Sequence, residues 1–192
     1  TTALITTDGF RDVIEIGYES RYNQYDILID KPAPLVPREL RFTVPERVDI
    51  HGRVLWELDE DAVKDLIPKV VQAGVESVAI GFLHGYANPQ HERRVEEIIG
   101  EILPDLSITL SAEVCPEIRE FERLTTATAN AYVRPLMSRY LDNLKFRLEE
   151  IGLLCPVLLM TSGGGLTTLD TASKFPIRLV ESGPAGGAIL AS

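Results

Sequence analysis

Asp59–Leu110, DEDAVKDLIPKVVQAGVESVAIGFLHGYANPQHERRVEEIIGEILPDLSITL, decides the fold. Asp59–Ala73 sets Ala62, Val63, Leu66, Ile67, Val70 and Val71 on one helical face and stops at Gly74. Val75–Leu83 is an apolar run of strand length. Pro89–Leu103 turns Val95, Ile98, Ile99 and Ile102 inward as a second helix, and Ile108–Leu110 reads as a second strand. Helices and strands alternating over short links predict an α/β fold, a mostly parallel sheet flanked by helices.

Working outward, Leu4–Thr7 reads as a strand end that turns through Asp8-Gly9-Phe10 into a short helix, Phe10–Ile16. Arg21–Pro37 is expected to be irregular, since Pro32, Pro34 and Pro37 interrupt regular structure. Arg41–Val48 and Val54–Leu58, joined by the turn Asp49–Arg53, predict a β-hairpin on which Trp56 packs in the core or at an edge. Downstream, Glu120–Ile151 keeps helical spacing over an unusual length, with Pro135 expected to kink or divide it. Val157–Met160 is expected to be a buried strand and Leu169–Lys174 a short helix. The domain organisation predicted is 1–118 for an α/β region, 119–155 for a connecting helix and 156–192 for the start of a second domain.

The composition, 45% hydrophobic and 25% charged, is that of an ordinary globular protein. No apolar run approaches the roughly 20 residues that cross a membrane. A formal net charge of −10 repels phosphate backbones and anionic lipid, so nucleic acid and membrane partners are disfavoured. Two cysteines, Cys115 and Cys155, make no disulfide framework, and a cytoplasmic location is expected. The chain begins without Met and ends in a small, apolar helix start, which reads as an internal piece of a larger protein.

Two glycine-rich turns follow strand-like runs. Thr161-Ser162-Gly163-Gly164-Gly165 is the first; Ser182-Gly183-Pro184-Ala185-Gly186-Gly187 is the second, with Ser182 a suitable N-cap and Pro184 suited to a first helical turn. A glycine-lined helix N-terminus offers free N–H groups to an anion such as phosphate. Neither turn fits a dinucleotide-binding or Walker pattern, and tight packing alone would also explain the glycines.

Ser111–Arg123 is the densest charged stretch. Glu113 and Glu117 offer a carboxylate pair, and Arg119 and Arg123 share a helical face suited to an anion or polarised carbonyl. A solvated helix start explains the same charges. Thr125–Asn130 make a poor solvated face and suggest a packed polar seam or a ligand wall. His84 follows a buried run at a strand end, His91 is expected on the first turn of an exposed helix, and His51 in the hairpin turn. No Cys/His pair has zinc-ligand spacing.

Taken together, TALITTDGFRDVIEIG (2–17), YDILIDKPAPLVPR (25–38), ERVD (46–49), FLHGYANPQHE (82–92), SAEVCPEIREFERLTTATANAYVRP (111–135) and SGPAGG (182–187) resemble the hydantoinase A/5-oxoprolinase family, which includes N-methylhydantoinase and the acetone carboxylase beta subunit. The resemblance implies an actin-like ATPase (ribonuclease H-like) fold with an inserted α/β region. It implies ATP and Mg²⁺ as cofactors, phosphorylation of a cyclic amide or ketone carbonyl, and a hydantoinase B-like subunit or fused domain as partner. Substrate-side residues implied are His84, Arg119, Glu120, Arg123, Thr125 and Asn130. Those expected near the nucleotide are Ser162, Gly163, Gly164, Ser182, Gly183, Gly186 and Gly187.

The sequence departs from the family in three places. The N-terminal D-x-G-G-T-x-T-D phosphate loop and the second aspartate-glycine-rich loop are both absent, and Gly163 stands where members often carry Asn. The chain on its own is therefore expected neither to hold ATP tightly nor to turn over. The function expected of the full-length protein is ATP-dependent opening of a cyclic amide. An ATP-dependent acetone or acetophenone carboxylase and a non-catalytic ligand-binding or assembly domain are the alternatives.

Overall fold

The computed structural model describes residues 1–18, 25–28, 32–153 and 155–191. Parts of the stretch expected to be irregular, residues 21–24 and 29–31, lie outside the described residues, as does Ser192. The chain packs as two compact units, Thr1–Ala129 and Asn130–Ser192.

The first unit is built on β1 (Thr2–Thr7), buried at every position. After β1, the expected helix shortens to α1 (Val13–Ile16). β2 (Arg41–Val44) runs parallel to β1 on one side, with Leu4 opposite Arg41. The run expected to continue into a hairpin divides at Pro45, which has no N–H for a ladder. Only β3 (Arg47–Val48) pairs antiparallel with β4 (Val54–Trp56), and Trp56, expected to pack, is 69% exposed.

α2 (Glu60–Gln72) starts at Asp59, whose carboxylate accepts the Ala62 N–H at 2.9 Å, and it buries Val63, Leu66, Ile67 and Val70. β5 (Ser77–Gly81), α3 (Gln90–Ile102) and β6 (Ser107–Leu110) follow in the predicted order. The four-stranded sheet, in the order β2-β1-β5-β6, is parallel throughout. Ile5, Ile80 and Leu110 meet Val63, Ile67, Val95 and Ile99 in one apolar core. The sheet sets the carboxyl ends of β1 and β5 side by side, where α/β folds bind their ligands.

α4 (Ser111–Val114) follows β6 directly, and α5 (Glu120–Glu150) is a single helix of 31 residues. Pro135 lies inside α5 without dividing it.

In the second unit, β7 (Leu158–Met160) pairs antiparallel with β8 (Leu166–Thr168). The strand expected to be buried is thus one half of a partly exposed hairpin. Its turn closes through Thr161 N–H to Gly165 O at 2.8 Å, with Gly164 at φ +80. α6 (Leu169–Lys174) is capped by the Thr168 hydroxyl, a 3₁₀ turn spans Pro176–Leu179, and α7 runs Ser182–Ala191. The first α7 bond goes from Ala185 N–H to Glu181 O, so Glu181, at φ +63, takes the capping place expected of Ser182. Among the described residues no helix is long and apolar enough to cross a membrane.

Candidate functional site

At the carboxyl end of β5 the chain leaves the sheet through Phe82-Leu83-His84-Gly85-Tyr86. Leu83 N–H donates to Thr7 Oγ1 at 3.0 Å, which fixes the loop to the end of β1. His84 then adopts φ +56, a left-handed conformation that costs a non-glycine residue about 1–3 kcal/mol and clusters at functional sites. Its carbonyl accepts the N–H groups of Ala87 and Asn88. Asn88 Nδ2 in turn donates to Gly52 O at 2.9 Å, fastening the hairpin turn to this loop.

The imidazole of His84 stands edge-on to Tyr86, with ring centroids 6.0 Å apart. Its Nδ1 is buried and has no hydrogen-bond partner among the described residues. Burial lowers the pKa of His84, and the positive charges of Arg47 and Arg123 push it further down. A neutral imidazole in the field of Arg47 and Arg123 can donate one hydrogen bond and accept another, which suits a polarised amide as its partner.

Arg123 supports this loop from within the fold. Fully buried, it donates from Nη2 to Phe82 O at 2.7 Å, from Nη1 to Glu117 O at 2.8 Å and from Nε to Ser111 Oγ at 3.2 Å. Its guanidinium lies 5.6 Å from the Tyr86 ring centroid. Ser111 Oγ donates onward to Glu92 Oε1 at 2.6 Å, and Glu92 also accepts N–H groups from Phe82 and Ala112. Burial raises the pKa of Glu92 and lowers that of Arg123. Glycine at 85 is required here, because a Cβ would run into the Glu92 carboxylate.

Of the substrate-side residues read from the sequence, His84, Glu120 and Arg123 come together: the Glu120 charge acts on both of the others. Arg119 belongs to an adjoining notch of about 220 Å³ with Tyr18, Phe121 and Glu122, in which the Tyr18 hydroxyl donates to Glu122. That bond raises the tyrosine pKa and lowers the carboxylate's. Thr125 is exposed, and its carbonyl accepts the Thr128 hydroxyl at 2.9 Å. Asn130 is buried in the second unit, where it donates to Lys174 O at 3.1 Å and accepts the Ile177 N–H at 3.2 Å. Glu117 enters through its backbone carbonyl rather than as half of a carboxylate pair.

His91 corrects an expectation. It is 4% exposed, not on an open helix face, and its Nδ1 lies 2.8 Å from Glu46 Oε2. The signal was present in the spacing: His91 is in phase with Val95 and Ile98 on the inward side of α3. Tyr86 and Arg47 carried no such pattern.

In the second unit, Ser162 bonds through both N–H and Oγ to Arg178 O, at 2.8 and 3.0 Å. Gly163 is exposed, and a Cβ on Gly164 would meet Ile189. Ser182, Gly183, Gly186 and Gly187 line a cavity of about 550 Å³ with apolar side chains such as Leu141 and Met160. A Cβ at Gly183 or Gly187 would meet nothing within 4 Å. Open space beside the α7 N-terminus fits a phosphate group. No carboxylate lines that cavity, so it lacks the oxygen ligands that Mg²⁺ requires. Among the described residues no group of three or more His, Cys, Asp or Glu side chains is placed to hold a metal ion.

Residues 1–103 match the family model for the hydantoinase/oxoprolinase N-terminal region, and residues 123–192 match that for hydantoinase/oxoprolinase. An uncharacterised protein of Methanocaldococcus jannaschii is 41% identical over 97% of the chain, which covers 28% of that relative. Caprolactamase subunit alpha of Pseudomonas jessenii is 34% identical over 95% of the chain, covering 26% of the subunit. The crystal structure of ATP-dependent caprolactamase from that organism superposes with a TM-score of 0.86 over 96% of this chain and 27% of its own. A nucleotide-free acetone carboxylase, from work on ATP-dependent acetone carboxylation, also gives 0.86, at 29% identity over 99% of this chain and 28% of its own. The chain thus spans about a quarter of the length of these relatives.

Proposed function

The chain belongs to the hydantoinase/oxoprolinase family, and from that premise we propose that it forms part of the ATP-dependent subunit of an enzyme that opens a cyclic amide. Both solved relatives are named for ATP dependence, which supports ATP as the shared cofactor. The lactam hydrolase is the more similar of the two, at 34% identity against 29%, and this favours an amide over a ketone.

One observation carries the reading for this chain's own residues: a neutral, left-handed His84 with an orphaned Nδ1 at the carboxyl end of β5. Its imidazole hydrogen-bonds the ring amide and orients it, while Glu120 and Arg119 border the same face. Arg123 is a positioning residue, holding Phe82 O and so the backbone from which His84 projects. The Ser182 and Gly183 N–H groups at the start of α7 donate to phosphate oxygens, since Pro184 has no N–H and that of Ala185 goes to Glu181 O. When bound, ATP supplies the phosphoryl group that makes the carbonyl carbon electrophilic and its oxygen a leaving group. The carboxylates that hold Mg²⁺, and a hydantoinase B-like partner that completes hydrolysis, lie on other parts of the assembly.

ADP release by the complete enzyme, measured with hydantoin, 5-oxoproline, caprolactam or acetone plus bicarbonate, tests the proposal. A cyclic amide should stimulate release and yield the ring-opened acid, and His84→Ala should lower kcat/KM about tenfold or more. Stimulation by the ketone and bicarbonate alone overturns the amide reading in favour of a carboxylase. No stimulation by any of them favours a binding or assembly role.

A further inference from the structure

The notch beside the His84 loop is short of hydrogen-bond donors. Glu120, the first residue of α5, is half-buried, and its carboxylate has neither a hydrogen bond nor an ion pair among the described residues. Glu122 accepts the Tyr18 hydroxyl on Oε1, while its Oε2 is buried without a partner among the described residues. The Tyr18 hydroxyl holds the Glu122 carboxyl below its usual range, so this group only accepts. Arg119, the guanidinium of the notch, is engaged by Tyr18. The remaining walls are apolar, formed by Val13, Ile16 and Phe121 around a space of about 220 Å³. Such a notch suits a ligand with a compact apolar body and an N–H to give.

Glu120 also belongs to the His84 face. Arg123, one helical turn further along α5, donates to Phe82 O, two residues before His84. The Glu120 charge reaches the His84 imidazole, whose neutral ring carries a single N–H. Building on the cyclic-amide function proposed above, we propose that Glu120 and His84 grip the edge of a cis amide: Glu120 accepts the N–H of the scissile amide, His84 donates to its carbonyl oxygen, and the body of the ring lies in the notch against Val13, Ile16 and Phe121. Substrates are thereby limited to rings whose scissile nitrogen carries hydrogen.

Ring geometry makes this pair selective. Closure holds a small lactam cis, so its N–H and C=O point the same way and meet one acceptor and one donor side by side. An open-chain amide is trans and turns the two groups to opposite edges. A ketone brings no N–H, and an N-methyl group covers the carboxylate without bonding it. A site built to bond an N–H rejects such analogues strongly, because its own polar group is left unpaired.

Calorimetry on the complete enzyme without nucleotide tests the assignment. The probes are hydantoin, 5-oxoproline and caprolactam, each beside the form methylated at the scissile nitrogen, and ADP release is measured in parallel. The ring that stimulates release should lose affinity tenfold or more on methylation. Glu120→Ala, a change that a first helical turn tolerates, should weaken the N–H ring tenfold or more and shift the methylated ring less than twofold. Glu120→Gln, whose side-chain oxygen still accepts, should fall between. Equal affinity for methylated and unmethylated rings overturns the assignment, while continued ring opening leaves the cyclic-amide function standing. A Glu120→Ala loss that is equal for both rings also overturns it, since the role would then be structural. If no ring binds or stimulates ADP release, the cyclic-amide function falls and the Glu120 assignment with it.

Discussion

Glycines at the end of β5 and in α7 are used in different ways. At the end of β5 they are sites of contact. A Cβ on Gly81 would run into Leu124 and lie 3.1 Å from Ser111, and one on Gly85 would run into Glu92. Missing side chains there let α3 and the first turns of α5 close on the strand end and bury the Glu92–Ser111–Arg123 network. At the start of α7, a Cβ on Gly183 or Gly187 meets nothing within 4 Å. The end of β5 needs glycine for packing, whereas in α7 Gly183 and Gly187 stand open and only Gly186 is crowded, by Met160. A glycine-rich motif therefore does not announce its role until its neighbours are known.

The comparison is broken most readily at the network. Arg123→Ala leaves Phe82 O, Glu117 O and the Ser111 hydroxyl without their donor, and leaves Glu92 buried without the nearest positive charge. Removing one partner of such a buried set costs about 3–5 kcal/mol, read as a lower urea midpoint. Arg123→Lys should recover little of it, since one ammonium cannot reach three divergent acceptors. A loss below about 1 kcal/mol would mean that the strand end is held by apolar packing alone.

Gly81→Ala comes next. The added methyl drives Leu124 out of place, an overpacking cost of about 1–3 kcal/mol in the same denaturation assay. If the variant is as stable as the parent, the close approach at β5 is not what glycine provides.

His84 separates strain from packing. His84→Gly should raise stability by about 1 kcal/mol, because glycine adopts φ +56 without penalty, while the imidazole chemistry is lost. The pH response follows from the lowered pKa of His84. The folded form binds this proton less readily than the unfolded form, so stability is fully present above the unfolded value, about 6.5, and falls as pH drops below it. His84→Gln should flatten that part of the acid limb; an unchanged limb would show that His84 is not the group responsible.

Periodicity carried the architecture of the first unit. Val63, Ile67, Val95 and Ile99 fall on faces that 3.6-residue spacing alone selects, and they form the core observed. It did not foresee the division at Pro45, because Arg41–Val44 and Arg47–Val48 look alike as apolar-polar alternation while only the first has a parallel neighbour in β1. Site legibility was poorer for a physical reason. His84 and Arg123, 39 positions apart, meet only because β5 and the start of α5 pack together. Tyr86 and Arg47 enter the site through the fold alone. Asn130 shows the converse: its polar side chain in a helix suggested a packed polar seam or a ligand wall, and its bonds brace the second unit's own backbone at Lys174 and Ile177, as a seam does.

The smallest expected effect is also the sharpest test of the open glycines. Gly187 lies in the interior of α7 with ordinary helical φ, so alanine there should stabilise the chain by about 0.5–1 kcal/mol through helix propensity and reduced unfolded-state freedom. Gly186 is the control within the same helix: its Cβ would lie 2.8 Å from Met160 Sδ, which should cancel the gain. Thermal midpoints of the two variants decide the matter. A destabilising Gly187→Ala would show that the face is covered, and the contrast with Gly81 would collapse. A stabilising one leaves a glycine that neither helix propensity nor internal packing favours.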